Sequence, residues 1–323
     1  MNAICRILFS AAVCFAFTHI AYSQTVLTSG STTPGPATVG GGCTGTHAGF
    51  PVRICANGSF ALGGNLPSGV VEIVGSDVTL DLNGYTIGGT TPQCAIVTGT
   101  AGNSCTGVPT GNVPLTITGQ NVTVRNGFVE GGSNDGVQVT PAGTLRSNLI
   151  FRDLTIGNFR GNCVSAANVL GFTLINVSAS QCGSGGLELG ESTLENVNAS
   201  YNNGVGIYID SGTIKNSQTN FNKSFGIVVG STGSDAGTVE NSSANHNVIG
   251  MLVAGTVTNS SASFNSQDGF NTTNALLVSD NAYSNLGDGF NLGPNTCYAN
   301  IRAYGNGTNV SGGTAIGSSG HCP

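Results

Sequence analysis

Tryptophan is absent from this chain, lysine occurs twice, and only 7% of the 323 residues carry charge. Nucleic acid and anionic membrane surfaces both demand clustered cations, so this shortage excludes them as partners. No C-x-x-C pair occurs and the histidines are scattered, which argues against a structural zinc site. Past the N-terminus no long apolar run follows, so no membrane span is expected. Helical 3.6-residue periodicity is missing throughout. Low charge combined with abundant glycine, serine, threonine and asparagine would suit a disordered chain. However, apolar residues recur at regular positions along its whole length, and disordered segments lack those.

What is present begins with an export signal. Arg6 supplies a positive start, "ILFSAAVCFAFTHI" an apolar core, and Ala21–Ser23 small residues before a cleavage point, so residues 1–23 are expected to be removed and the protein secreted, to the extracellular space or the periplasm. Eight basic residues then face 15 acidic ones, a net charge of −7. Eight cysteines remain, an even number in an exported chain, and disulfides are expected. Neighbour pairing would join Cys43 to Cys55, Cys94 to Cys105, Cys163 to Cys182 and Cys297 to Cys322, one of many connectivities the sequence allows.

The middle of the chain repeats itself: "TLENVNASYNNGVGIYIDSG", "TIKNSQTNFNKSFGIVVG", "TVENSSANHNVIGMLVAG". Aligned on one asparagine, the column reads Asn126, Asp153, Asn176, Asn196, Asn216, Asn241, Asn259, Asp280 and Asn300. Two residues earlier stand Val124, Phe151, Leu174, Leu194, Ile214, Val239, Val257, Val278 and Tyr298, all apolar. Six residues later a second asparagine column holds Asn202, Asn222, Asn247, Asn265 and Asn306. Tyr201, Phe221 and Phe264 come just before it, and then a glycine with alternating apolar residues, as in "GIYI" and "GFNL". Short alternating runs broken by Gly and Asn are strands and turns. A repeat near twenty residues built from three short strands closes one turn of a solenoid whose equivalent side chains stack as ladders. Asparagine suits the tight bend because it tolerates left-handed φ and its amides can bond from coil to coil. The leucine-rich horseshoe lacks its L-x-x-L-x-L signature here, and a propeller needs longer blades.

These coils, with "VTLDLNGYTIGG" at 78–89 and its echo "VTVRNGFVEGG" at 122–132, resemble the right-handed parallel β-helix repeat proteins of the pectin-lyase-like superfamily. The resemblance implies an all-β, single-stranded right-handed β-helix of about ten coils, with capped ends, over residues 70–303. Residues 24–69 read as a flexible leader and a disulfide-clipped cap, and 304–323 as a C-terminal cap or tail.

The catalytic patterns of that superfamily's hydrolases, N-T-D, D-D, G-H-G and R-x-K, are absent, as is the Tyr, Asp and His cluster of its epimerases. A pectate-lyase arrangement, with carboxylates around calcium and a basic residue as proton abstractor, leaves little motif and stays open. Charge clusters once, at Arg125, Glu130, Asp135, Arg146, Arg152, Asp153 and Arg160. The alignment stacks Arg125 on Arg152, which would repel unless carboxylates or a bound anion compensate. Arg125, Glu130, Asp135, Arg152 and Arg160 are therefore the expected substrate contacts, with Arg125, Arg152 and Asp153 the catalytic candidates. Neutralisation on a solvated face is the plainer account. Glu195, Lys215 and Glu240 form a surface ion-pair ladder in the same column. Asp268 and Asp288, in "QDGFN" and "GDGFN", stack on one wall; they could hold calcium, or be ordinary Asp-Gly turns. No other metal or cofactor is implied.

Carbohydrate contact by a secreted monomer is the leading expectation. A lyase acting on uronic acid polymers and an inert structural or adhesive rod are the alternatives. Ice binding through stacked threonines fails, because the column two residues on is charged.

Overall fold

The computed structural model describes residues 24–27, 37–39, 52–67, 70–88, 113–140, 146–230 and 236–316. Its strand pairings are parallel, no helix occurs among the described residues, and the strands stack as a solenoid of about 11 turns. Each coil contributes one rung to each of three sheets. In the first sheet the inward column runs Leu80, Val124, Phe151, Leu174, Leu194, Ile214, Val239, Val257, Leu277 and Tyr298 in unbroken register. All but Tyr298 are fully buried. The second sheet is built of three-residue strands, Asn198–Ser200, Gln218–Asn220, Ser243–Asn245, Ser261–Ser263, Asn281–Tyr283 and Arg302–Tyr304. The third carries Leu187, Ile207, Ile227, Met251, Phe270 and Phe290 into the core, with the last two rings stacked 4.8 Å apart.

The register extends past both expected boundaries. Thr25–Leu27 pairs with Gly58–Leu62, which pairs with Val78–Asp81, so strands before residue 70 are already rungs. At the other end Thr308–Ala315 pairs with Asp288–Ala299.

The first bend is the expected asparagine column. Asn126, Asp153, Asn176, Asn196, Asn216, Asn241, Asn259 and Asn300 hold φ between 50° and 63°. Amides link successive coils there, Asn196 donating to Asn176 at 3.2 Å and Asn176 to Asp153 at 2.9 Å. One coil departs from the sequence alignment by a residue. Leu277, not Val278, faces the core, and Ser279 (φ 62°), not Asp280, takes the bend. Asp280 is thereby turned inside, fully buried. An aspartate in an asparagine column looked natural at the bend; the register of Val257 on Leu277 excludes it.

The same shift completes the second asparagine column with Asn285. Asn202, Asn222, Asn247, Asn265 and Asn285 are buried. Asn202 accepts the Cys182 N–H at 2.9 Å; each later side-chain oxygen accepts from the backbone N–H and the amide of the asparagine one coil back, as Asn247 does from Asn222 at 3.0 Å for both. Each side-chain nitrogen also donates to a carbonyl of an earlier coil, Asn247 to Thr219 at 3.0 Å. Gly226 leaves the room: a Cβ there would lie 2.7 Å from Asn247 Nδ2. The recurrent glycine before each third-sheet strand is thus set by the ladder beneath it.

Cys163 and Cys182 form a disulfide with a sequence separation of 19. Cys55 and Cys297 are also disulfide-bonded, whereas Cys43, Cys94, Cys105 and Cys322 lie outside the described residues. A loop of this size stabilises by about 3 kcal/mol. Cys163→Ser/Cys182→Ser is accordingly expected to lower the urea midpoint, and an unchanged midpoint would show that the ladder alone holds this coil.

Candidate functional site

A second left-handed bend lies between the second and third sheets, immediately before the buried asparagines. Its occupants are Gln181, Tyr201, Phe221, His246, Phe264 and Ser284, with φ between 55° and 61°. Left-handed φ costs a residue with a side chain roughly 1–2 kcal/mol, least for asparagine. The first bend uses asparagine accordingly; this one uses aromatic rings.

The rings form a continuous ridge. Tyr201 stacks on Phe221 at 5.0 Å, Phe221 on His246 at 4.5 Å and His246 on Phe264 at 5.2 Å. Phe264 meets Tyr283 edge to face at 5.2 Å, and Tyr283 stacks on Tyr304 at 5.4 Å. Five rung steps make the ridge roughly 24 Å long. Stacking contributes about 0.5–1.5 kcal/mol per pair, which no more than offsets the backbone strain. The rings moreover stay wet, with Tyr201 54%, Phe221 46%, Phe264 49% and Tyr304 59% exposed. Stability alone therefore does not explain aromatic residues at this bend.

Beside the ridge, the outer face of the second sheet is polar and almost free of charge. Its outward column runs Thr155, Ser178, Asn198, Gln218, Ser243, Ser261 and Asn281 before reaching Arg302. Asn198 and Gln218 are exposed, and Asn245 donates to Asn220 at 3.2 Å in the adjoining column. The face offers neutral donors and acceptors at every rung, bordered by ring edges.

Stacked parallel rungs, inward aliphatic columns and an inner asparagine ladder decide the architecture. The chain is a parallel β-helix. No family model matches it, and no curated protein does. Among solved structures it is similar to the A-module of the mannuronan C-5 epimerase AlgE4 of Azotobacter vinelandii, at 15% identity and TM-score 0.39, covering 82% of this chain and 86% of that one. It is also similar to the receptor binding domain of the siphovirus 9NA tailspike, at 11% identity and TM-score 0.40, covering 84% of this chain and 73% of that one. The architecture rests on the strand register of this chain, and function is left to its residues.

The β-helix brings some of the sequence-predicted site residues together and separates others. Arg125 and Arg152 do stand on adjacent rungs in register. Each guanidinium is already occupied: Arg125 Nε lies 3.0 Å from Asp81 Oδ2, and Arg152 Nε 3.3 Å from Asp153 Oδ2. The hydrogen bond from Asn176, then the neighbouring Arg152, hold the Asp153 carboxyl below its ordinary range. Glu130 sits on the second sheet opposite Gly157. Asp135 accepts the Asn162 N–H at 2.7 Å, a bend role, and Arg160 is exposed on the coil after it. Arg125 and Arg152 thus stand on the first sheet and Glu130 on the second, with Asp135 at a bend. Asp268 accepts from the Asp288 backbone N–H and from the Asn291 amide, both at 2.9 Å. No group of three or more potential metal ligands occurs among the described residues. Lys215 pairs with Glu240 at 3.0 Å. Arg146 has a described backbone only.

The ridge was visible in the sequence as Tyr201, Phe221 and Phe264 but was not read as a site. Three of its members are harder to see: His246 is no apolar match, and Tyr283 and Tyr304 occupy the position before the bend rather than the bend itself.

Proposed function

We propose that this protein binds an extracellular polysaccharide along its second sheet, with the aromatic ridge as one wall. The observation that carries this reading is aromatic rings at left-handed bends, where stability favours asparagine and the rings remain half exposed. Sugars present apolar C–H faces and many hydroxyls. The exposed apolar surface of the rings suits the former, and the Ser, Asn and Gln columns suit the latter. The rung repeat of about 4.8 Å is comparable to one extended sugar unit, so contacts recur along a polymer. Secretion, expected from residues 1–23, would place the protein where such polymers occur.

Replacing Tyr201, Phe221 and Phe264 by asparagine tests the reading. The triple variant should keep or gain stability, because asparagine is cheaper at each bend. In affinity electrophoresis through a panel of polysaccharide gels, the parent should be retarded by at least one polymer and the variant by none. Equal retardation of both would end this reading. So would free migration of the parent in every gel, which would leave a structural rod.

A further inference from the structure

We propose that Arg302 closes the polar face with an anion site, which takes a carboxylate or sulfate group carried by the bound glycan. The glycan half of this inference rests on the reading above; the anion half stands alone.

Arg302 is the first charge in the outward column after Thr155, six rungs of neutral side chains intervening. Arg53, Arg125, Arg152 and Lys215 each have a carboxylate partner. Among the described residues none lies within 4.0 Å of the exposed Arg302 side chain. It lines a polar hollow of about 540 Å³ together with Ser279, Asn281, Asn300 and Ile301. Asn281 is its registered neighbour one rung back. Tyr304 projects from the same strand two residues on, stacked on Tyr283.

The chemistry of these groups converges. A guanidinium presents a planar fork of donors that matches a carboxylate or sulfate edge in bidentate fashion. Amides from Asn281 and Asn300 can add donors to the remaining oxygens, and Ile301 makes one wall apolar. Tyr304 borders the sugar that would carry the anion. The chain's net charge of −6 repels anions at long range. Attraction must therefore be local, and it should survive moderate salt better than a diffuse basic patch would.

Arginine side-chain and asparagine amide NMR signals of the full-length protein can be followed during titration with sodium acetate, and separately with sodium sulfate, at ionic strength held constant with sodium chloride. The Arg302, Asn281 and Asn300 signals should shift saturably, with a Kd on the order of millimolar, while Arg160 drifts linearly. Arg302→Ala should abolish the amide shifts. Arg302→Lys should weaken binding roughly tenfold, since charge remains but the fork is lost. Saturation by acetate alone assigns a carboxylated glycan, and by sulfate alone a sulfated one. Arg302 signals that move no differently from those of Arg160 overturn the site. The Tyr201, Phe221 and Phe264 triple variant should keep the anion titration even where it loses polymer retardation, so the two proposals fail separately.

Discussion

Asp280→Asn should raise the melting temperature at pH 8 on the order of 8 °C, and change it little at pH 4. Asp280 ends a buried ladder whose other members are Ser217, Ser242 and Ser260. Each serine hydroxyl accepts the backbone N–H of the coil before and donates to the carbonyl two residues back in its own coil. Asp280 Oδ1 plays the first part, accepting from Ser260 N–H at 2.8 Å, but Oδ2 has no hydrogen-bond partner. Burial, outweighing the backbone hydrogen bonds at Ser260 and Val278, raises the carboxyl from its ordinary 3.8 to about 7. A proton on Oδ2 would let it donate to the Val278 carbonyl, as the serines do in their coils.

The sign follows from linkage. Between pH 4 and 7 the folded chain keeps a proton that the unfolded chain has lost, so stability is whole below about pH 4 and falls as pH rises towards 7. Three pH units correspond to about 4 kcal/mol, and a β-helix of this size gains roughly 2 °C per kcal/mol. Asparagine supplies the accepting oxygen and the donating nitrogen at every pH. The measurement is the variant-minus-parent difference in Tm from pH 4 to pH 8, which cancels whatever the two proteins share. A difference that stays flat would mean that Asp280 is ionised in place and paired.

Asn247→Ala is expected to destabilise the β-helix by about 2–6 kcal/mol. The substitution takes this hydrogen-bond partner from the buried Asn222 N–H and Thr219 carbonyl, while the Asn222 amide keeps its bond to the Ala199 carbonyl. Each buried polar group left unpaired costs about 1–3 kcal/mol. Because coils contact only their neighbours, the loss should be local. Hydrogen exchange should accelerate at Asn222 and on the coils around 219–250, with Val124 and Tyr298 less affected. Uniform acceleration along the chain would show that the β-helix unfolds as one unit. No acceleration would mean that water replaces the missing amide.

The period itself was legible in the sequence. Apolar residues two before a recurring asparagine, and a glycine before each third-sheet strand, are imposed by backbone geometry that repeats, so one coil predicts the next. Where a coil changes length, that inference slips. The 259–279 coil is one residue shorter than the asparagine-to-aspartate alignment implies, which misplaced Asp280 and hid Asn285. Only hydrogen bonding across rungs resolves such a shift, since a single sequence does not record which residue sits above which. The arginine pair shows the complementary limit. Its stacking followed from the alignment, but Asp81, a coil earlier and 44 residues away, is the partner of Arg125.

From sequence alone, then, come the solenoid, its approximate coils, its asparagine bend and the stacking of Arg125 on Arg152, because each depends on local conformational preference repeated at a fixed interval. The tertiary structure decided which side chains are spent and which are free. It paired Arg125 and Arg152 with carboxylates, turned Asp280 into the core, and gathered Tyr201, Phe221, His246, Phe264, Tyr283 and Tyr304 from six coils into one ridge. Contacts between rungs join residues about twenty apart, and their energies depend on register, burial and ring orientation, which exist only once the coils have stacked.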